Sequence, residues 1–160
     1  MKRTNTMLFL AVFSTALVVV PPCAAQDLPK SGSINIHTGW KLTPEVFEVS
    51  DKRSVGHGSV VGVNFNDKGS GPLHNGPAVC VFTFLGSENG SMNKGYCAFG
   101  DADGDRILTD WDGNAEQGTN HIAGGTGKYK GITGSGPWKC WGTPTQGAFH
   151  CTQRFDYKLP

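Results

Sequence analysis

Three aspartates at alternate positions form the sharpest polar feature of the sequence, Asp101, Asp103 and Asp105 in the run Asp-Ala-Asp-Gly-Asp. Several carboxylate oxygens in one flexible loop are what a hard cation such as Ca²⁺ requires. An EF-hand loop, however, needs glycine at its sixth place, where this chain has Arg106. The other interpretation is a tight turn whose aspartates bond the local backbone while the glycine takes a positive φ. The pattern favours the turn, and calcium binding is the alternative.

Five histidines are the next candidates for chemistry, and they are scattered along the chain. His57 shares strand parity with Val61, Val63 and Phe65, so alternation predicts that its imidazole points inward. An inward imidazole could act as an acid or base, or it could be a hydrogen-bonded core residue. No serine or cysteine nucleophile accompanies it, so His57 is a catalytic candidate without a catalytic constellation. It could also serve as a polar handle for a bound ligand.

A glycine-rich run from Gly124 to Gly134 reads GGTGKYKGITG. Its beginning is similar to a phosphate loop, but the spacing G-x-x-x-x-G-K-[ST] is absent because Tyr129 follows Lys128. No helical pattern follows that could present its N-terminus to a phosphate. The run therefore predicts a tight backbone reversal ahead of a long hairpin, and we expect no cofactor.

Four cysteines remain after the N-terminal segment, and an even number in an exported chain predicts two disulfides. Turn-forming residues lie midway between Cys80 and Cys97, and again midway between Cys140 and Cys151. If each turn closes a hairpin, the cysteines of each pair face one another across adjacent strands, close enough to bridge. The predicted bonds are Cys80–Cys97 and Cys140–Cys151. A zinc site is the competing interpretation, but no C-x-x-C pair or histidine cluster supports it.

Residues 1–25 have the pattern of a cleaved signal peptide. Lys2 and Arg3 precede an apolar run, and small residues ending at Ala25 occupy the usual cleavage positions. The apolar run is short for a membrane span. A lipoprotein attached at Cys23 is the alternative, which the two preceding prolines disfavour. We therefore expect a cleaved leader and no membrane span after its removal.

The remaining residues, 26–160, are enough for one domain with a core of its own. Because the leader has no acidic residue, its removal changes the formal charge from +1 to −1. A chain so close to neutral offers no basic stripe for nucleic acid or anionic lipid. The sequence therefore predicts a single exported domain, periplasmic or extracellular, with no nucleic-acid partner.

Short β-branched and aromatic runs, separated by Gly, Asn, Asp and Pro, predict an all-β domain. Eight or nine such runs favour a single antiparallel eight-stranded barrel, with a two-sheet sandwich as the alternative. The candidate strands are Ser33–Trp40, Glu45–Val49, Ser54–Asn66, Ala78–Leu85, Gly95–Phe99, Asp105–Trp111, Gln117–Ile122, Gly136–Gly142 and Ala148–Tyr157.

Alternation along these strands assigns their faces. The last strand places Phe149, Cys151 and Phe155 on one apolar side, with Gln153 as the polar exception on that side. The same parity groups other aromatic residues with the remaining cysteines, so rings and disulfides should line the interior. A barrel of this size either fills with side chains or encloses one small molecule. The predicted ligand-binding residues are His57, Phe82, Phe84, Trp111, Trp138 and Phe149.

The run from Gly124 to Gly134 resembles the signature loop of the allene oxide cyclase and dirigent proteins, which share a calycin-like, eight-stranded antiparallel barrel. The cyclase-like pattern is two glycines, Thr or Ser, glycine, any residue, an aromatic, any residue and glycine, and Gly124 through Gly131 match it. The dirigent version usually continues Ala-Arg-Gly, where this chain has Ile-Thr-Gly. Related barrels form trimers, so the resemblance also implies a homo-oligomer by analogy.

Three further segments are similar to a group of small exported bacterial proteins of unassigned function. They are Gly-Pro-Ala-Val-Cys at 76–80, Tyr-Cys-Ala-Phe at 96–99 and Asp-Ala-Asp-Gly-Asp-Arg at 101–106. This resemblance implies an exported, disulfide-linked barrel and no particular reaction.

Three functions are compatible with such a chain. The first is a binding module that holds a small apolar or aromatic molecule inside the barrel. The second is an isomerase or cyclase that folds an apolar substrate in the same cavity, as the resemblance to the cyclase family implies. The third is a filled barrel that acts as an envelope or surface interaction protein.

Overall fold

The computed structural model describes residues 28–160, which form a closed antiparallel barrel of eight strands in sequence order. This confirms the predicted fold class. The predicted leader, residues 1–25, lies outside the described residues. Within them, no helix has the length and apolar character needed to cross a bilayer. The strands are β1 (Ser31–Ser50), β2 (Arg53–Asn66), β3 (Gly76–Ser87), β4 (Gly90–Gly100), β5 (Arg106–Gly113), β6 (Gln117–Gly125), β7 (Thr133–Gly142) and β8 (Ala148–Lys158).

The first two predicted strands are one continuous strand, β1, so the prediction of a break between them is wrong. The predicted gap between them, residues 41–44, pairs in register with β2, and its last residue, Pro44, lies opposite Gly58. Beyond Lys41, β1 no longer pairs with β8 and has a free edge. Proline lacks the N–H that a strand donates to its neighbour, and a free edge is where a sheet tolerates that loss.

The two ends of the barrel differ in their connections. At one end, here called the closed end, three loops of five to nine residues cover the interior, at residues 67–75, 101–105 and 126–132. The third of these contains a 3-10 turn at Gly127–Tyr129. At the opposite end, here called the open end, connections of two to five residues join the strands at residues 51–52, 88–89, 114–116 and 143–147.

The hydrophobic core occupies the closed half of the barrel. Phe99 and Phe155 are fully buried there and pack edge to face, with 5.2 Å between their ring centroids. Leu73 and Ile132 close the core from the loops. Leu159, just after β8, donates its backbone N–H to the Lys30 carbonyl and so ties the C-terminus to the segment before β1. The other buried apolar residues are Ile34, Ile36, Trp40, Val60, Ala78, Cys80, Cys97, Ile107, Tyr129, Cys151 and Tyr157.

The predicted faces are correct on β3, β7 and β8 but inverted on β2. Val61 and Val63 point outward and are about half exposed, whereas Val60 is buried inside. The reason is the space that neighbouring rings need. A Cβ on Gly58 would lie 2.9 Å from the Phe82 ring, so β2 presents its glycines inward beneath rings from other strands.

Both predicted disulfides are present, Cys80–Cys97 between β3 and β4 and Cys140–Cys151 between β7 and β8. Each joins residues that are directly opposite in the antiparallel register. Cys80, Cys97 and Cys151 are buried on the interior surface, which confirms the predicted side. The bridges therefore pin two hairpins from within the barrel.

Candidate functional site

A cavity of about 700 Å³ occupies the interior toward the open end of the barrel. This volume lies in the range of pockets that hold small organic molecules. Its wall combines aromatic rings, the four cysteines of the two disulfides and a few neutral polar side chains. The aromatic lining residues are Trp40, Phe82, Phe99, Trp111, Trp138, Trp141 and Phe149.

Two tryptophans form a right-angled corner in this wall. The rings of Trp111 and Trp138 are 5.4 Å apart between centroids and inclined at 87°. Phe82 tilts against Trp111 at 6.0 Å, and Phe149 stacks on Trp40 at 6.5 Å. These rings are half buried apart from Trp40, which is buried and lies between the core and the cavity. Half-buried rings on an interior surface offer apolar area for a planar ligand.

A chain of hydrogen-bonded neutral polar side chains lies in the buried interior next to the aromatic wall. Asn64 Nδ2 donates to the Gly100 carbonyl oxygen at 3.2 Å, and Thr38 Oγ1 donates to Asn64 Oδ1 at 3.1 Å. Gln153 Nε2 then donates to Thr38 Oγ1 at 3.2 Å. Asn64, Thr38 and Gln153 are all nearly fully buried. We refer to this chain of bonds, from Gly100 to Gln153, as the amide relay.

Four polar atoms of cavity-lining residues are buried without a hydrogen-bond partner. They are the amide oxygens Gln153 Oε1 and Asn93 Oδ1 and the indole nitrogens of Trp111 and Trp138. The Trp111 N–H lies against Gly95, where a Cβ would be 2.8 Å from the nitrogen. Buried polar groups are nearly always bonded, so unpartnered atoms in a cavity wall are positions where a ligand or water can bind.

At the closed end, the three aspartates of the predicted turn surround a lysine rather than an open site. Lys128 Nζ lies 2.8 Å from Asp101 Oδ2 and 2.6 Å from Asp103 Oδ2. Asp105 Oδ2 is 3.4 Å from the same ammonium. The positive charge that calcium would supply is therefore already provided by Lys128. No group of three or more metal-ligating side chains occurs within residues 28–160.

The turn itself has the local geometry that its sequence predicts. Gly104 has φ of 96°, a conformation that residues with a Cβ avoid. The Asp105 backbone N–H donates to Asp103 Oδ1 at 3.2 Å. The backbone N–H of Leu73 and the Tyr129 hydroxyl both donate to the buried Asp101 carboxylate, the latter at 2.6 Å. Asp101 thereby joins the three closed-end loops.

The protonation of this closed-end cluster follows from its burial and contacts. Burial, and then the hydrogen bond to Asp101, raises the pKa of Tyr129 far above its ordinary range. Burial acts to lower the pKa of Lys128, but bonds to Asp101 and Asp103 outweigh it and raise that pKa. The Lys128 bond is also the main cause that lowers the pKa of Asp103. The Lys128 ammonium and the Asp103 carboxylate are therefore charged and the Tyr129 phenol neutral near pH 7.

Two of the predicted ligand-binding residues do not line the cavity. His57 is on the outer wall with more than half of its side chain exposed, and its Nε2 is 3.3 Å from Glu45 Oε2. The prediction that it points inward is wrong because the inverted face of β2 carries it outward. Phe84 does point inward, but it lines a depression near the 88–89 turn that adjoins the cavity and shares Phe82 with it. Phe82, Trp111, Trp138 and Phe149 do come together in the cavity wall.

Comparisons with known proteins provide evidence for the fold alone. No protein-family model matches the sequence, and no curated protein is significantly similar to it. Among solved structures, the barrel is similar to the pterocarpan synthase dirigent protein GePTS1, with a TM-score of 0.54. The match covers 83% of this chain and 94% of that one, at 13% sequence identity. The fold is a dirigent-like β-barrel.

Within this dirigent-like barrel, the site residue that the sequence analysis undervalued is Gln153. It interrupts the apolar side of β8, and that interruption was the only signal of an inward polar group. Asn64 was assigned to the outer side together with Val60 because the exposed valines of β2 dominated the pattern. Register with β3 would have corrected this, since Val60 lies opposite the inward Cys80.

Proposed function

We propose that this dirigent-like barrel is an exported binding protein that holds a small apolar or aromatic molecule in its open-end cavity. The observation that carries the proposal is a cavity of about 700 Å³ walled by half-buried aromatic rings, with neutral polar side chains such as Asn120 and Gln153 among them. Apolar walls supply most of the binding free energy of small molecules, and a few fixed polar groups orient them. The two disulfides are compatible with export, where such bonds persist.

The chemistry of the wall favours binding ahead of catalysis. Apart from the disulfide cysteines, the ionisable residues that line this cavity are Glu116, in the 114–116 turn, and Lys139 on β7. Both are exposed, and the Lys139 ammonium lies over the Trp141 ring at 5.4 Å. An isomerase or cyclase acting here would have to rely on holding its substrate in shape, without an acid or base at the cavity floor.

A fluorescent apolar dye tests the proposal. N-phenyl-1-naphthylamine should bind saturably to the purified barrel, with one site per chain. Trp111→Ala should weaken that binding about tenfold because the dye loses an aromatic contact surface. Tyr96→Ala, which removes an exposed ring from the outer wall, is the matched control and should bind as the wild type does. Absence of saturable binding, or equal loss in both variants, would contradict the proposal.

Export has its own test. Protein recovered from the producing cell should begin at Gln26, as shown by intact mass after disulfide formation. If the protein is found inside the cell with its first 25 residues retained and its cysteines reduced, export is contradicted. The proposal that the cavity binds a ligand is unaffected by that result.

The outer wall favours a second candidate function, self-association. Val61, Val79 and Leu108 are each at least 40% exposed and lie in one cross-strand row with Ala98, across β2 to β5. The next row adds Val81 and Tyr96, both more than half exposed, and their pairing is direct. Contiguous apolar surface of this kind is typical of protein interfaces. We propose a second copy of this chain as its occupant.

Light scattering on a sizing column tests this candidate. The wild-type barrel should elute with a mass that is a multiple of the single chain, and Val79→Asp should reduce it to one chain. Val49→Asp is the control, because Val49 is also exposed but lies near the tip of the β1–β2 hairpin. A wild-type monomer at high concentration, or dissociation by both variants, would contradict self-association.

A further inference from the structure

The direction of every bond in the amide relay is fixed from one end. The Gly100 carbonyl can only accept, so Asn64 must turn its NH₂ group toward it. Asn64 therefore presents Oδ1 to Thr38, and the Thr38 hydroxyl donates its only proton to that oxygen. The Thr38 oxygen must then accept from Gln153, which turns the NH₂ of Gln153 toward Thr38.

The consequence is an acceptor with nothing bound to it. Gln153 lies 5% exposed in the cavity wall, and its Oε1 is buried without a hydrogen-bond partner. The amide cannot turn over to offer a donor instead, because that would break its bond to Thr38 and set two oxygens against each other. Trp138 lies directly opposite Gln153 across β7 and β8, so an aromatic wall flanks this acceptor.

We infer that the ligand presents a neutral hydrogen-bond donor, an N–H or O–H on a planar apolar framework, to Gln153 Oε1. The inference rests on the proposed function of the cavity, and it adds that the ligand donates, rather than accepts, a hydrogen bond at this position. A cationic donor is disfavoured because a single neutral amide does not offset the desolvation of a charge. A ligand carbonyl at this position would place two acceptors together, which leaves both unsatisfied.

Three tricyclic compounds of nearly the same shape separate the polarity from the cavity itself. Carbazole carries an N–H, fluorene a CH₂ and 9-fluorenone a C=O at the same position. Each is titrated against barrel loaded with N-phenyl-1-naphthylamine, and its competing affinity is measured. We expect carbazole to bind about fivefold to tenfold more tightly than fluorene, and 9-fluorenone to bind most weakly.

Two variants assign the preference to the relay. Gln153→Leu removes the acceptor and should bind carbazole no better than fluorene. Thr38→Val leaves the cavity lining unchanged, because Thr38 is not part of it, but frees the Gln153 amide to turn over. In that variant the ratio of carbazole to 9-fluorenone affinity should fall toward one, a change that a purely steric role would not produce.

The outcomes are distinguishable. If no tricyclic compound displaces the dye, the cavity proposal fails and takes the inference with it. If fluorene binds but 9-fluorenone binds as well as or better than carbazole, the cavity stands and the donor inference is overturned, with the indole N–H groups as the alternative contact. An unchanged ratio in both variants overturns the relay. Should either variant lose its wild-type circular dichroism, the order of the three compounds on the wild type decides alone.

Discussion

The closed and open halves of the barrel are built from the same eight strands and pack their interiors differently. In the closed half, Phe99 and Phe155 are fully buried and the loops are tied together through Asp101. In the open half, Trp111 and Trp138 lie on the same interior surface but remain half buried, and their N–H groups have no partner. One half therefore carries the stability of the fold, while the other has room for a second molecule.

The largest effect should come from the core of the closed half. Phe155→Ala should lower the free energy of unfolding by about 3–5 kcal/mol, because it removes a fully buried ring and leaves a cavity. Phe149→Ala, in the half-buried wall, should cost distinctly less. Urea unfolding followed by circular dichroism measures both. Equal losses would mean that the open-half rings act as core, and the contrast between the halves would be lost.

The next effect concerns the carboxylate that joins the loops. Asp101→Ala should cost about 3 kcal/mol, because it leaves the Tyr129 hydroxyl and Leu73 N–H without their acceptor and weakens the pairing of Lys128. Asp103→Ala should cost less than about 1 kcal/mol, since more than half of the Asp103 side chain is exposed. The same urea series compares them. If Asp103→Ala lowered the free energy of unfolding more than Asp101→Ala does, the exposed ion pair, and not the buried carboxylate, would be what holds these loops together.

A smaller effect is expected in the cavity wall. Trp138→Phe keeps a ring in place and removes an N–H that has no partner. We expect a change below about 1 kcal/mol in the free energy of unfolding. Thermal unfolding at pH 7 suffices to measure it. A loss near that of Phe155→Ala would show that the indole nitrogen makes a stabilising contact.

The smallest effect is a dependence on pH at the closed end. Folding lowers the pKa of Asp103, mainly through its bond to Lys128. The ionised carboxylate therefore adds to the free energy of unfolding, and this contribution is complete above the ordinary pKa of an aspartate. It is lost as the pH falls through the lower, folded pKa. Solvent screening limits it to a few tenths of a kcal/mol. Between pH 6 and pH 3, the free energy of unfolding of Asp103→Asn should therefore fall slightly less than that of the wild type. A larger fall in the variant would contradict a stabilising role for the ionised Asp103.

Much of the fold could be predicted from short-range patterns. The spacing of Cys80 and Cys97 about a turn predicted both their bond and the hairpin that carries it, because opposite residues in a hairpin are fixed by its turn. The inward parity of β3 followed from Cys80, and that of β7 and β8 followed from Cys140 and Cys151. Closure of the sheet followed from strand count and from the glycine-rich run before β7.

The site was less predictable because it depends on contacts between strands. On β2, counting apolar residues favoured Val61 as inward, but the rings of Phe82 and Trp40 require glycine beneath them. A Cβ on Gly62 would lie 2.9 Å from the Trp40 ring, a contact that sequence alone does not display. The misassigned face of β2 also carried His57 from the expected interior to the outer wall. The relay through Asn64 and Gln153 was hidden for the same reason.

The placement of the tryptophans has a practical consequence. The chain has four tryptophans, of which Trp40, Trp111 and Trp138 face the cavity, whereas Trp141 is 41% exposed and stacks on His150. Three of the four indoles therefore report on that compartment through their emission. Occupancy by an unlabelled, non-absorbing compound should shift or quench the emission directly, so unknown extracts can be screened without attaching any probe.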